Sequence, residues 1–155
     1  MKIENSKLKI VFASDHAGFE MKNALKEYVV SLGYEVEDCG AYELDPDDDY
    51  TLFVKRAAEA VSKDPENTKA IILGGSGQGE DMVANKFEGV RAAEYYGGNL
   101  EIVKLSREHN DANVLSLGAR FLSLEEAKEA VKLWLETPFS NEERHARRIS
   151  EIENS

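Results

Sequence analysis

The chain has 155 residues, 42% hydrophobic and 32% charged, with 30 acidic against 19 basic side chains and a formal net charge of −11. That length suits one domain with a single core, expected to span residues 1–155. The charge argues against binding nucleic acid or an anionic membrane surface, because both need a basic footprint. No run approaches the roughly 18 apolar residues of a membrane span. The opening Met1-Lys2-Ile3-Glu4-Asn5-Ser6-Lys7 lacks a signal-peptide stretch. The lone Cys39 can form no intrachain disulfide, so a reducing, cytoplasmic setting is expected. An acidic chain that handles an anionic ligand must do so through a local basic cluster.

Taken in order, Leu8 to Ala13 is a short β-branched run that predicts a strand, and Ala17 to Leu32 has helical spacing with Gly33 as its stop. Tyr34 to Cys39 predicts a second strand. Asp45-Pro46-Asp47-Asp48-Asp49 reads as a solvated turn and helix cap, followed by a helix to about Ser62. Lys69 to Leu73 predicts a third strand, running into Gly74-Gly75-Ser76-Gly77-Gln78-Gly79 and then a short helix. A strand is expected over Val90 to Ala93, a helix over Gly97 to Glu108, a fifth strand over Asn113 to Leu117 and a helix over Ser123 to Leu135. Ser123-Leu124-Glu125-Glu126 has capping-box spacing, and a polar helix follows Pro138, starting at Ser140. Strands alternating with helices predict an α/β fold, a parallel sheet covered on both faces. Ligands of such sheets bind beyond the carboxyl ends of the strands.

Asp15-His16 follows the first strand at that edge. It reads either as an acid/base or phosphate-contacting pair, or as a helix cap beside an incidental histidine. Gly74 to Gly79 carries four glycines and a serine between a strand and a helix. There, converging N–H groups and a helix N-terminus favour an anion hole over a flexible turn. Neither a Walker loop nor the dinucleotide fingerprint is present. Glu80 is open to two readings: an acid placed by the helix dipole, or a base beside an anion hole that would stabilise an enolate. Asp81 needs only the dipole. His109-Asn110 sits before the fifth strand, away from its own chain's ligand edge, so a catalytic His109 would have to reach a partner subunit. Arg144 and Arg148 are four apart on one helical face, as a phosphate clamp requires, or else they pair with nearby glutamates. Arg120, just after the fifth strand, is a further phosphate ligand candidate. Cys39, without a basic neighbour, reads as a small buried hydrophobe. Neither the Asp47-Asp48-Asp49 run nor the three histidines has metal-ligand spacing.

Taken together, Ser14-Asp15-His16-Ala17-Gly18, Gly74 to Glu80, Ala84-Asn85-Lys86, Ser106-Arg107-Glu108-His109-Asn110 and Arg144-His145-Ala146-Arg147-Arg148 resemble, in order, the motifs of one family. The chain is similar, from Lys9 to about Ile152, to ribose-5-phosphate isomerase type B, within a wider group that includes galactose-6-phosphate isomerase subunits. That resemblance implies a Rossmann-like five-stranded parallel sheet with helices on both faces and a C-terminal helix. It implies a homodimer (or dimer of dimers) with sites at the interface, and no metal or organic cofactor. It assigns Asp15 and His16 to the substrate and the Gly75, Ser76, Gly77, Gln78, Gly79 loop to the enediolate. It gives His109 to ring opening with Asn110 beside it, and Arg120, Arg144 and Arg148 to the phosphate. Many members carry a cysteine base where this chain has Gly74; the chain resembles the branch whose base is a glutamate, here Glu80. Thr51 follows Tyr50 where the family often has proline.

Aldose–ketose isomerisation needs one base, a proton shift between O1 and O2, an anion hole and a phosphate anchor. Glu80, the loop with Ser76 as relay, and the arginines supply these on this reading. The expected reaction is ribose 5-phosphate to ribulose 5-phosphate in the pentose phosphate pathway. The alternatives are a six-carbon substrate, allose 6-phosphate or galactose 6-phosphate, and a non-catalytic sugar-phosphate-binding module.

Overall fold

A computed structural model describes residues 8–154. Five parallel strands form one sheet in the order β2-β1-β3-β5-β4: β1 Lys9–Ser14, β2 Glu35–Asp38, β3 Thr68–Gly74, β4 Ala92–Tyr95 and β5 Val114–Gly118. The helices are α1 Phe19–Ser31, α2 Tyr50–Lys63, α3 Gln78–Ala84, α4 Glu101–Glu108, α5 Leu124–Glu136 and α6 Glu143–Glu153. None of these helices is long and apolar enough to cross a membrane. Single 3-10 turns at His16–Gly18 and Ala119–Phe121 link β1 to α1 and β5 to α5.

The central strands are apolar at most positions because helices cover both faces, and alternate residues feed two cores. Ile10, Phe12, Ile71, Leu73, Leu115 and Leu117 face α1, α4 and α5, and Trp134 of α5 is fully buried there. Val11, Ala13, Ala70, Ile72 and Val114 face α2 and α3, where Val54, Ala57, Ala58, Val61 and Ala84 complete a smaller core. The sheet reverses its winding between β1 and β3, which pair from Lys9↔Thr68 to Ser14↔Leu73. Asp15 and the glycine loop leave the sheet side by side at that switch point.

The elements match the sequence expectation in order and kind, with shifted boundaries. The α1 helix starts two residues late because Asp15 caps a 3-10 turn, its Oδ1 accepting from Ala17 N at 3.0 Å. The α4 helix starts at Glu101 instead of Gly97, since Gly97 and Gly98 hold φ of +113° and +95°. The last helix begins at Glu143, not Ser140, and β4 runs to Tyr95 instead of Ala93. Ser123 and Glu126 form both bonds of the expected capping box. Asp49 holds the N-cap position of α2, but its side chain makes no capping bond.

One buried ion cluster positions a loop of the site. Lys22 is fully buried and donates to both Asp38 oxygens, at 2.9 and 3.1 Å, and to the Ala41 carbonyl. Asp38 also accepts from Lys26 at 2.6 Å and from Gly40 N at 2.8 Å. The cluster ties α1 to the chain leaving β2, which then runs to Asp48. Removing Asp38 would strand a buried ammonium, at a cost of about 3–5 kcal/mol.

Candidate active site

The carboxyl end of the sheet gathers five of the sequence's candidates: Asp15, His16, the glycine loop, Glu80 and Arg120. Asp15 is 8% exposed and Glu80 only 4%. Gly18 lets the turn after β1 close onto β3, since a β-carbon there would stand 2.6 Å from Leu73 Cβ. This brings Asp15 near enough to Glu80 to add to the rise in its pKa, after burial as the larger cause.

Gly74 ends β3 beneath the Glu80 carboxylate. A β-carbon on Gly74 would lie 1.8 Å from Glu80 Oε2, 2.2 Å from Cδ and 2.5 Å from Oε1. The carboxylate therefore occupies the space that any side chain at position 74 would need. The loop turns at Gly77, where φ is +83°, and α3 begins at the next residue with Glu80 and Asp81 in its first turn. Ser76 Oγ accepts from Gln78 N at 3.2 Å, leaving its own proton free to donate. Tyr50, at the start of α2, lays its ring against Gly79, where an added β-carbon would meet the hydroxyl at 2.5 Å. Arg120 N donates to Gly75 O at 3.0 Å, and its guanidinium lies over the loop, 3.1 Å from where a Gly75 β-carbon would be.

The capping half of the second reading of Asp15-His16 holds, but His16 is not incidental. Asp15 is the cap, while His16 is held by Asp48, whose Oδ1 accepts from His16 N at 3.1 Å and pairs with Nδ1 at 2.8 Å. The bond to Asp48 raises the His16 pKa and leaves Nε2 for a ligand. Asp48, expected as part of a solvated turn, has a side chain only 8% exposed. Donor atoms of Asp15, His16 and Asp48 lie within 4.8 Å of one another. His16 and Asp48 bond to each other, while Asp15 accepts from Ala17 N, so each carboxylate has a protein partner.

His109, Asn110, Arg144 and Arg148 are not brought to this edge. His109 ends α4 on the amino side of β5, its ring stacked on His145 at 4.1 Å between centroids. Burial, then His109, lowers the His145 pKa. Asn110 O accepts from Arg91 Nε at 3.1 Å at the start of β4, and Arg91 also pairs with Glu153 of α6. A strand of five residues spans about 16 Å, so these groups and Glu80 lie at opposite ends of the sheet. Arg147 pairs with Glu143 and Glu151, and Arg144 with Glu142; Arg148 has no ion pair among the described residues. A cavity of about 750 Å³ also opens at the amino ends, beside Lys69, Arg91 and Arg107. Its arginines are spent on Glu153 and Asp111, and it touches none of the candidate groups.

Sequence reasoning missed Asp48 and Glu94. The latter lies on β4 below Gly77, and burial followed by the charges of Asp81 and Glu80 pushes its carboxyl up to about 7. Cys39 is buried as expected, its thiol pushed up to about 11 by burial and then by Glu37 and Asp38.

Comparison with known proteins identifies relatives of the whole chain. The ribose-5-phosphate isomerase B of Mycobacterium tuberculosis H37Rv is 40% identical over 144 residues, covering 93% of this chain and 87% of that protein. Its counterpart from Escherichia coli K12 is 37% identical over 147 residues, 93% of each. Among solved structures, ribose-5-phosphate isomerase B from Mycoplasma genitalium with bound ribulose-5-phosphate superposes with a TM-score of 0.92 at 34% identity, over 96% of both chains. The Clostridium thermocellum enzyme gives 0.87 at 39% identity, over 95% of this chain and 96% of that one. The family described as Ribose/Galactose Isomerase matches residues 10–152, so the chain belongs to it.

Proposed function

We propose that the chain interconverts ribose 5-phosphate and ribulose 5-phosphate by proton transfer through a cis-enediolate, with Glu80 as the base. The observation that carries this is the Glu80 carboxylate: 4% exposed, seated over Gly74 and beside the glycine loop. Burial raises its pKa toward that of a competent base. In the reaction Glu80 takes the C2 proton and returns it to C1. The loop amides and the start of α3 receive the negative oxygen as it forms. Ser76 moves the proton between O1 and O2, and Asp15 and His16 hold the sugar hydroxyls. No electron leaves the substrate, so no redox partner is required.

The phosphate anchor and ring opening need groups that one chain keeps at the far end of its sheet. On this reading the enzyme is a homodimer in which His109, Asn110, Arg144 and Arg148 of one copy complete the site of the other. Arg120 then faces the phosphate from the loop side. The exposed Arg148, without an ion pair among the described residues, is available for that role. The reaction belongs to the pentose phosphate pathway.

Proton NMR of ribose 5-phosphate with protein and excess chelator in deuterated water tests the reading. Ribulose 5-phosphate carrying solvent deuterium at C1 is the expected product, without added metal. Turnover of allose 6-phosphate or galactose 6-phosphate instead would move the assignment to a six-carbon substrate. Binding of all three without turnover would reject an enzyme.

A further inference from the structure

Below the glycine loop lies a carboxyl group that the isomerisation does not use. Glu94 sits on β4 directly beside Ser116 of β5, and Ser116 Oγ donates to the Gly77 carbonyl at 2.6 Å. Glu94 reaches the same residue from the other side, since a β-carbon on Gly77 would stand 2.9 Å from Glu94 Oε2. Gly77 is the left-handed residue from which α3 starts. Ser116 and Glu94 therefore support the joint between the loop and the helix that carries Glu80.

Two oxygens at this joint lack donors. Glu94 Oε2 and Asp81 Oδ1 are both buried without a hydrogen-bond partner among the described residues. Neighbouring buried carboxylates are unfavourable when both are ionised, and one retained proton relieves that repulsion. We propose that Glu94 is a positioning residue for Glu80: it keeps a proton beside Asp81, and so seats the glycine loop and first turn of α3 beneath the substrate. This inference rests on the reading of Glu80 as the base.

The charged groups acting on Glu94 are Asp81 and Glu80, both on α3 and both acidic. From β5 the facing group is the uncharged Ser116, and Gly77 presents only backbone. Burial and those two charges raise Glu94 to about 7, and burial raises Asp81 to about 6. Once Glu94 ionises, three carboxylates crowd one helical turn and the joint loosens. Glu80 must be ionised to act and Glu94 protonated to hold it, which gives a bell-shaped rate profile whose alkaline limb belongs to Glu94.

The test is kcat and KM for ribose 5-phosphate from pH 5.5 to 9.5 in wild type, Glu94→Gln, Asp81→Asn and Glu80→Gln. Wild-type kcat should fall on the alkaline side, from a midpoint of about 7, with KM steady. Glu94→Gln donates at every pH and should be at least about tenfold faster than wild type at pH 9. Asp81→Asn, by removing a negative neighbour, should move the midpoint to lower pH. Coincident alkaline limbs in wild type and Glu94→Gln, or an unmoved midpoint in Asp81→Asn, would overturn the inference. Glu80→Gln separates the two failures. Near wild-type turnover there rejects the base itself, whereas inactivity with unmoved limbs rejects only Glu94.

Discussion

Adding one methyl group at Gly74 should disable the base while leaving the fold nearly untouched. The new β-carbon would stand 1.8 Å from Glu80 Oε2, and 3.4 Å is the near edge of ordinary contact, so the carboxylate must retreat by about 1.6 Å. Gly74 is not among the glycines with positive φ, so alanine fits its backbone. The obstacle is the end of a flexible side chain, and moving it costs about 0.5–1.5 kcal/mol of rotamer strain. A misplacement of about 1 Å in a reacting group is worth roughly 100-fold in rate, or about 2.7 kcal/mol in the barrier. Gly74→Ala should therefore lose kcat by about two orders of magnitude, with KM within a few-fold and a melting temperature close to wild type. Ribulose 5-phosphate formation and a thermal melt on the same preparation measure both. In a Glu80→Gln background the same substitution should add nearly nothing, because the group it displaces is already disarmed. Wild-type kcat in Gly74→Ala, or full additivity in the double variant, would refute the reasoning.

Asp48→Asn should return the raised His16 pKa toward its ordinary value near 6.5, measured by imidazole NMR. The pair stabilises the fold fully below that ordinary value, and its contribution fades as pH rises through the raised one. An unmoved His16 titration would count against Asp48 as its partner. Mixing Glu80→Gln and Arg148→Ala chains, each inactive alone, should restore about a quarter of wild-type activity if each site draws on two copies; no recovery after confirmed subunit exchange would reject the shared site. Iodoacetamide at neutral pH should leave activity intact, because the Cys39 thiol is buried and pushed up to about 11. Rapid inactivation by alkylation of Cys39 would show that the region around β2 opens.

The parts of this molecule that sequence made legible are those whose cause is local. Ile10 to Ala13 and Ala70 to Leu73 are apolar because helices cover both their faces, and serine or glycine follows each run. Glu80 and the glycine loop were readable for the same reason, since strand, loop and helix follow one another without interruption. Asp48 was not readable: it meets His16 across 32 residues, by a path that the buried Lys22–Asp38 cluster fixes. Amid other aspartates its residue type suggested only a solvated turn. Glu94 was hidden differently. Its role comes from the register that sets it beside Ser116, and β4 is too short for periodicity to show that register. His109 and the α6 arginines stood out as candidates by type, and the proposal of a partner follows from strand direction. The spacing of Arg144 and Arg148 could not tell which of the three α6 arginines the glutamates would occupy.

On the reading of Glu80 as the base, its seat over Gly74 also constrains how it could replace a thiol base at position 74 in evolution. The side chain of a thiol base at position 74 would begin in the space that the glutamate fills, so one pocket cannot hold both in working positions. A lineage passing from cysteine to glutamate has no intermediate in which the old base covers for the new one while it is being aimed. The exchange requires either a near-simultaneous double change or a period of low activity.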